Sequence, residues 1–496
     1  MFQQVFLAGL IGCVLLRGVV YWRRTRWVSS EQDKSFSSFQ LRYLLVYALA
    51  CTSDWLQGAY VYALYTDYGY GKKEVGQLFI AGYAASAVFG TFVASLADRF
   101  GRKRTVYIFC LTYGVSCATK HFPNFWVLLV GRALAGASTS ILFTVFEVGG
   151  QISRSNRKSP TRSKVLNVFP RFSSSGMVCT TCPMQAWMVC EHKANHFIQS
   201  LVSETFAKAV LINGISAISA GQAAGLIASK YGKVLPFDLA ILDLCVLALL
   251  VSLTWGENYG NNSESLLKGF KIAFRHVLRS ERIRTLGFIQ SLYESSLFLF
   301  VFLWTPALQN ASSSEIPHGT IFSTFMVALM IGSTVSDALL KVFACELVLR
   351  TAFGMSVLAF LICALSERLE TTFAAFLVFE VAVGMYFPAV GTIRAKLIPE
   401  ESRSTIMNIY RIPLNFLVML VVLGDFDIRN TWKACILIVS IALALESRLA
   451  YLLHTDQHEH ELGALTGDRS GNATDGGGTM AGGVRAFHRS QNEQYI

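Results

Sequence analysis

The chain has 496 residues, of which 53% are hydrophobic and only 15% are charged. A soluble protein carries about 25% charged residues, so this composition argues against a soluble globular protein and for one embedded in lipid. The basic residues behind the net charge of +11 lie between apolar segments rather than in one patch, which argues against nucleic-acid binding.

Apolar segments long enough to span a bilayer as helices, about 20 residues each, recur along the chain. Residues 2–22 form the first. Arg17 interrupts it and no small-residue cleavage site follows, which favours a retained helix over a secretory signal. Further spans are predicted at 39–65, 75–98, 105–120, 125–147, 198–229, 236–255, 285–308, 318–340, 347–366, 371–392, 404–424 and 432–453. We therefore predict an all-α membrane protein of two six-helix bundles plus an extra N-terminal transmembrane helix.

The predicted organisation follows from the polar breaks between these spans. Asp98 and Asp337 end corresponding helices, the second of each half. The predicted parts are an N-terminal helix and cytosolic linker (1–38), a first six-helix half (39–255), a central cytosolic loop (256–284), a second six-helix half (285–454) and a disordered cytosolic tail (455–496).

Residues 148–185 differ from the rest of the first half because they are basic, rich in serine and free of acidic side chains. Two interpretations remain open: a long cytosolic loop, or an insertion such as translated intron sequence that inactivates this chain. Cys179 and Cys182 form a single CxxC pair, which is too weak a pattern to predict a metal site. We expect no metal and no cofactor.

The stretch "FVASLADRFGRKRTV" at 92–106 sets the predicted orientation. If this loop is cytosolic, alternate loops along the chain are cytosolic as well. These alternate loops hold most of the Lys and Arg, as the positive-inside rule requires. Arg394 and Lys396 are then assigned to a cytosolic loop, and Lys120 to an outer one. The N-terminus is predicted outside and the C-terminal tail in the cytosol.

Charged residues inside spans cost several kcal/mol unless they are paired or face water, so they mark a pathway by default. Glu204 and Lys208 are four residues apart on one helical face, and a simple ion pair between them is an equally good interpretation. The candidates are Asp54, Arg132, Glu147, Glu204, Lys208, Glu294, Glu380 and Arg411. No P-loop, HExxH or GxSxG motif is present, so we expect a protein that is not an enzyme.

The loop "ASLADRFGRKR" (94–104) resembles the cytosolic loop motif of the major facilitator superfamily, with Ala94 where glycine is usual. Within that superfamily the chain is similar to the molybdate-anion transporter family. The similarity is carried by "DWLQGAYVYALY" (54–65), "LLVGRALAGASTSILFTVFE" (128–147), "WGENY" (255–259), "IQSLYESSLFLFVFLWTPAL" (289–308) and "EVAVGMYFPAV" (380–390). The resemblance implies secondary active uptake of molybdate by alternating access, in a plasma membrane. The alternatives are another anion or solute, such as sulfate, or a non-transporting receptor or scaffold.

If molybdate is the substrate, its two negative charges need cations and hydrogen-bond donors, and arginine suits a tetrahedral oxyanion. The predicted substrate-contact residues are Arg132, Lys208, Arg411, Tyr62, Asn213 and Gln290. The predicted proton-coupling or cavity carboxylates are Asp54, Glu147, Glu294 and Glu380. The predicted gating residues are Asp98, Arg99, Gly101, Arg102, Lys103 and Asp337, although the basic ones can act as a purely topological anchor. The expected partners are molybdate, the bilayer and a coupling proton, with no obligate protein partner.

Overall fold

The computed structural model describes residues 1–22, 32–143, 183–197, 200–259, 266–399, 402–424 and 426–471. All regular elements among these residues are helical, which confirms the predicted all-α fold class. The helices are α1 (Phe2–Trp22), α2 (Gln32–Gly58), α3 (Val61–Asp67), α4 (Lys72–Phe100), α5 (Arg102–Ala118), a 3-10 turn (Thr119–His121), α6 (Phe125–Phe143), α7 (Pro183–Ala194), α8 (Ser200–Tyr231), α9 (Leu235–Thr254), α10 (Leu266–Arg279), α11 (Glu281–Asn310), α12 (His318–Leu339), α13 (Cys345–Leu365), α14 (Leu369–Leu397), α15 (Arg403–Leu423) and α16 (Ile428–Gly471).

Nine helices of the described residues are long and apolar enough to cross a membrane, namely α6, α8, α9 and α11 to α16. Residues Phe2–Gly18 of α1 form a shorter apolar helix. Large aliphatic side chains such as Leu226, Leu253 and Leu365 are 73–78% exposed. Exposed aliphatic faces on helices of this length fit a lipid surrounding.

Three predicted segments differ from the observed helices. The first core span breaks between α2 and α3 at Ala59 and Tyr60. The central loop contains a helix, α10, whose apolar and basic residues fall on opposite faces. Helix α16 runs through Gly471, because Leu, Ala and Glu beyond residue 455 favour helix, and residues 472–496 of the predicted tail lie outside the described residues.

Local side chains fix where several helices begin. Ser280 caps α11 by accepting a hydrogen bond from the Ile283 amide at 3.4 Å. Glu74 accepts one from the Gly71 amide at 2.7 Å before α4. Gly101 separates α4 from α5 at φ 104°, a left-handed conformation that favours glycine.

Close helix crossings recur in both halves of the sequence. A β-carbon on Gly136 of α6 would collide with the Gly82 backbone of α4. A β-carbon on Gly384 of α14 would collide with the Leu329 backbone of α12. The second and fourth core helices of each half therefore touch backbone to backbone.

The helices before and after the central loop also meet along two seams. Helix α4 packs against α15, and α8 packs against α12. Helix α1 packs on α12, and Phe6 and Cys13 of α1 join Val327 and Met330 in one apolar cluster that Leu211 of α8 also contacts. The exact domain boundaries stay a prediction.

Candidate functional site

Asp54 of α2 is the centre of a polar cluster in the first half. The Tyr113 hydroxyl of α5 donates a hydrogen bond to Asp54 Oδ1. Arg132 of α6 interacts electrostatically with the same carboxylate, and its guanidinium lies 4.6 Å from the centroid of the Phe79 ring. Arg132 Nε is buried and has no hydrogen-bond partner among the described residues. We name Asp54, Tyr113 and Arg132 the first-half cluster.

A similar cluster lies in the second half, where α11 meets α14. Glu294 Oε1 accepts hydrogen bonds from the Tyr386 hydroxyl at 3.0 Å and from Arg394 Nη2 at 3.1 Å. The Arg394 side chain is 1% exposed and that of Glu294 is 12% exposed. The assignment of Arg394 to a cytosolic loop is wrong, because α14 continues to Leu397 and the ion pair offsets the cost of burying the guanidinium. We name Glu294, Tyr386 and Arg394 the second-half cluster.

Aromatic contacts connect the helices that carry the two clusters. The Tyr83 hydroxyl of α4 lies 3.5 Å from the Phe298 carbonyl oxygen of α11, one turn beyond Glu294. The rings of Phe79 and Phe302 are 5.3 Å apart between the same two helices. The aromatic residue of α4 that lies against Arg132 thus also contacts the helix that carries Glu294.

Arg411 of α15 lies at the seam with α4. A β-carbon at Gly90 would be 3.5 Å from Arg411 Nη1 and 3.6 Å from Ser140 Oγ. The Ser140 hydroxyl also bonds to Ser86, with 2.9 Å between the two Oγ atoms. The absence of a side chain at Gly90 thus lets a cation of the second half approach hydroxyl groups of the first.

Lys208 of α8 has local partners. Its Nζ lies 2.9 Å from Glu204 Oε1 and donates a hydrogen bond to Gln40 Oε1 at 2.6 Å. Gln40 in turn donates to Thr205 at 2.8 Å. The local ion pair left open by the sequence is therefore present, and a role of Lys208 in substrate contact stays a proposal.

The three uncharged residues that are predicted to contact the substrate lie in different surroundings. Asn213 accepts a hydrogen bond from Trp55 Nε1 at 2.9 Å. The Tyr62 ring lies against Phe302, with 5.7 Å between centroids. Gln290 of α11 is 1% exposed.

Glu380 and Glu147 are the two remaining predicted carboxylates. Glu380 of α14 is 3% exposed, and its Oε2 has no hydrogen-bond partner among the described residues. Glu147 lies outside the described residues. The structure therefore groups Asp54 and Glu294 with arginine and tyrosine, whereas Glu380 Oε2 has no such partner among the described residues.

An ion-pair group joins the halves at the ends predicted to be outside. Lys233 lies between α8 and α9, and its Nζ is 2.9 Å from Asp67 Oδ1. The same Nζ is 2.7 Å from Oε1 of Glu315, which lies between α11 and α12. Burial alone would lower the pKa of Lys233, but hydrogen bonds to the two carboxylates raise it above its ordinary value. The hydrogen bond from Lys233 holds the pKa of Glu315 below its ordinary value. We name Asp67, Lys233 and Glu315 the outer latch.

Lys120 is a buried cation that the sequence assigned to an outer loop. It lies in the turn between α5 and α6, is 1% exposed, and its Nζ is 5.4 Å from the centroid of the Tyr65 ring. Burial, and then repulsion by Arg132, lowers the pKa of Lys120 to about 7. Its position near Arg132 adds a second basic group to the first half.

The basic loop at 99–104 is tied to the segment after α9. Glu257 accepts hydrogen bonds from the Lys103 amide at 2.9 Å and the Arg104 amide at 3.2 Å, which caps α5. Lys103 Nζ donates to the Trp255 carbonyl oxygen at 2.6 Å. The Trp255 ring stacks on Trp187 of α7, with centroids 3.8 Å apart.

Only some of the predicted gating residues lie in this region. Arg102 donates to Asn258 Oδ1 at 3.4 Å, and Arg99 is exposed. The Asp98 side chain lies outside the described part of the chain, and Asp337 is exposed at the end of α12. A gating role for these residues stays a proposal.

Two sets of packed apolar helices, each holding a carboxylate paired with an arginine, have the architecture of a facilitator-type transporter. Solved structures confirm the fold alone. The nucleoside transporter NupG superimposes with a TM-score of 0.62 at 11% identity, covering 83% of this chain and 99% of that chain. The POT family transporter PepTSo gives a TM-score of 0.61 at 10% identity, covering 85% of this chain and 98% of that chain.

Sequence comparison identifies the family. A family model described as sugar transporters with 12 transmembrane helices matches residues 1–169 and 175–374. The molybdate-anion transporter of Xenopus tropicalis is 32% identical, covering 89% of this chain and 92% of the relative. That of Takifugu rubripes is 31% identical, covering 79% of this chain and 80% of the relative. The chain therefore belongs to the molybdate-anion transporter family of the major facilitator superfamily, which confirms the predicted resemblance.

Proposed function

We propose that this protein takes up molybdate into the cell by secondary active transport. The similarity to relatives named molybdate-anion transporter supports the substrate, and it extends over most of both chains. The observation that carries the proposal is the pairing of an arginine with a carboxylate within each half, Arg132 with Asp54 and Arg394 with Glu294. Such groups are expensive within a membrane and are kept for binding ions.

The dianion would be held by arginine. Arg132 keeps a buried N–H without a hydrogen-bond partner among the described residues, and Arg411 and the Ser140 hydroxyl both lie next to Gly90 at the seam. Guanidinium groups and hydroxyls together match the four oxygens of a tetrahedral anion. Lys208, Tyr62, Asn213 and Gln290 are secondary candidates.

Alternating access is the proposed mechanism. The outer latch and the α4–α15 and α8–α12 seams join the halves, so breaking the latch would open the outer end and closing it would commit the bound anion. The basic loop at 99–104 would act at the opposite end, with a cytosolic C-terminus and a plasma-membrane location.

Uptake against a negative-inside potential needs a coupling ion. Each negative charge moved inward costs about 2.3 kcal/mol per 100 mV. Protons are the proposed coupling ion, and the described carboxylates available to bind them are Asp54, Glu294 and Glu380.

The test is uptake of labelled molybdate by the full chain in cells that lack their own uptake system. Arg132→Gln removes the guanidinium from the first-half cluster and is expected to raise KM about tenfold or more, because a hydrogen bond to a charged group contributes about 1.5–3 kcal/mol. Lys230→Gln is the matched control, since Lys230 is exposed and lies outside both clusters. Surface expression is measured for each variant.

Competition decides between substrates. Molybdate uptake that tungstate inhibits and sugars do not supports the proposal. Uptake of a sugar in preference would favour the sugar-transporter description of the matching family model. Preferred transport of sulfate or no transport by well-expressed protein would contradict the molybdate assignment. A scaffold or receptor would also retain its activity in the Arg132→Gln variant.

A further inference from the structure

Helix α10 has an apolar side that the protein covers only in part. Residues four apart on a helix fall on one line along its surface. Ala273 and Val277 form a buried line, and α10 packs against α15 and α11. The neighbouring line holds Phe274 and Leu278, whose side chains are 45% and 54% exposed. The apolar side of α10 is therefore wider than the surface that α15 and α11 bury.

Three cations form the next line on the same helix. Lys271, Arg275 and Arg279 are four residues apart and all exposed. Their side chains have no ion pair or hydrogen bond with any of the described residues, and α10 contains no acidic residue. A row of uncompensated positive charge thus runs directly beside a row of exposed apolar side chains.

The C-terminal end of α10 lies at the start of a membrane-spanning helix. Only Ser280 separates α10 from α11, and Arg284 Nη1 of α11 donates a hydrogen bond to the Leu278 carbonyl oxygen at 2.9 Å. Phe288, one turn further along α11, is 50% exposed on a helix that is long and apolar enough to cross a membrane. At 1.5 Å per residue, Phe288 is about 6 Å beyond Arg284 along the helix axis. The exposed line of α10 therefore ends close to the surface of α11 that faces lipid.

We propose that the exposed side of α10 binds anionic phospholipids of the leaflet that it meets, which the predicted orientation makes the cytosolic one. Phe274 and Leu278 enter the boundary between headgroups and acyl chains, as the apolar face of an interfacial helix does. The three cations bind the anionic headgroups beside them. A soluble acidic protein would match the cations alone, whereas an anionic lipid surface also matches the exposed apolar line and the closeness of α11. The inference does not depend on which substrate is transported.

The test measures which lipids surround α10 in the full chain. A bimane fluorophore is attached through Leu278→Cys, in a background without other cysteines, and the protein is reconstituted in phosphatidylcholine liposomes. An increasing share of brominated phosphatidylserine or brominated phosphatidylcholine then quenches the fluorophore on contact, and the two curves give a relative binding constant. Leu358→Cys supplies the control probe, because Leu358 is 53% exposed on the apolar helix α13. Phosphatidylserine is expected to be preferred at position 278 and not at position 358.

Neutral variants identify the groups that select the lipid. Lys271→Gln, Arg275→Gln and Arg279→Gln should each lower the preference for phosphatidylserine about fivefold, since a cation near an anionic surface contributes about 1 kcal/mol. Lys230→Gln is the matched control, because Lys230 is exposed and lies at the end of α8 that is predicted to be outside. Phe274→Ser keeps every cation and should weaken quenching by both lipids, because it removes an apolar group that enters the bilayer.

The outcomes decide between lipid and other occupants. Equal quenching by the two lipids at position 278, or a preference that the three Gln substitutions leave unchanged, would overturn the inference. Weak quenching by both lipids, with the fluorophore exposed to water, would overturn it in favour of a soluble acidic partner. Salt at about 1 M shortens the Debye length to about 3 Å and should remove the preference of the labelled parent protein, so the test remains decisive even where a variant fails to fold.

Discussion

Removing the charge of Glu315 is expected to favour opening of the outer end. Glu315 belongs to the second half, and its bond of 2.7 Å to Lys233 crosses to the first. The Glu315 side chain is 65% exposed, so the pair contributes only about 0.5–1 kcal/mol. Glu315→Gln should therefore increase the population of the outward-open state about two- to fivefold.

Asp67→Asn is the matched control, because Asp67 pairs with Lys233 within the first half. Spin labels on cysteines at the exposed positions Ser229 and Ser313, in a background without other cysteines, report the distance distribution between the halves. Since the pKa of Glu315 is lowered, its stabilisation of the latch is present at neutral pH and is lost as pH falls through that lowered pKa. Equal effects of the two variants, or no shift on acidification, would refute a latch between the halves.

Three further predictions concern stability in detergent. Trp187→Ala should lower the free energy of unfolding by about 3–5 kcal/mol, measured by thermal unfolding, because it removes a side chain stacked on Trp255; a Tm unchanged from the parent would contradict this. Gly136→Ala should reduce the yield of folded protein, measured by size-exclusion chromatography, because the new methyl group would meet the Gly82 backbone; a normal yield would show that α4 and α6 can separate. Lys120, whose folded-state pKa is about 7, should make stability rise with pH from about 7 towards 10.5, since the unfolded lysine keeps its proton over that range, and Lys120→Met should abolish this slope.

The sequence predicted the membrane spans and part of the site from one principle, the cost of charge in lipid. That principle singled out Asp54, Arg132 and Glu294, which the structure places in two clusters. It missed Arg394, because a cation near the end of an apolar segment is normally read as a loop residue. A carboxylate such as Glu294 within a span indicates that a cation lies nearby. The sequence could not show which arginine this is, because the pairing with Arg394 depends on how α11 packs against α14.

Tertiary packing also explains the second residue that the sequence misplaced. Lys120 follows an apolar helix and precedes a proline-containing connection, so its local pattern is that of an outer loop. Its burial depends on Tyr65 of the distant α3 and on Tyr68 directly after that helix, where the Tyr68 hydroxyl donates to the Lys120 carbonyl oxygen. Similarly, the role of Glu257 as a helix cap depends on a loop more than a hundred residues away in the chain.

The placement of α1 makes the two flanks of the protein unequal. Phe6 and Cys13 cover the α8–α12 seam through Val327 and Met330, whereas no corresponding extra helix lies along α4 and α15 among the described elements. Among the described helices, surrounding lipid would therefore contact α1 on the α8–α12 flank and the core helices directly on the α4–α15 flank. Among the described helices, an amphiphilic inhibitor that approaches from the bilayer would therefore meet one layer of helix fewer on the α4–α15 flank, where Arg411 lies, than on the flank that α1 covers.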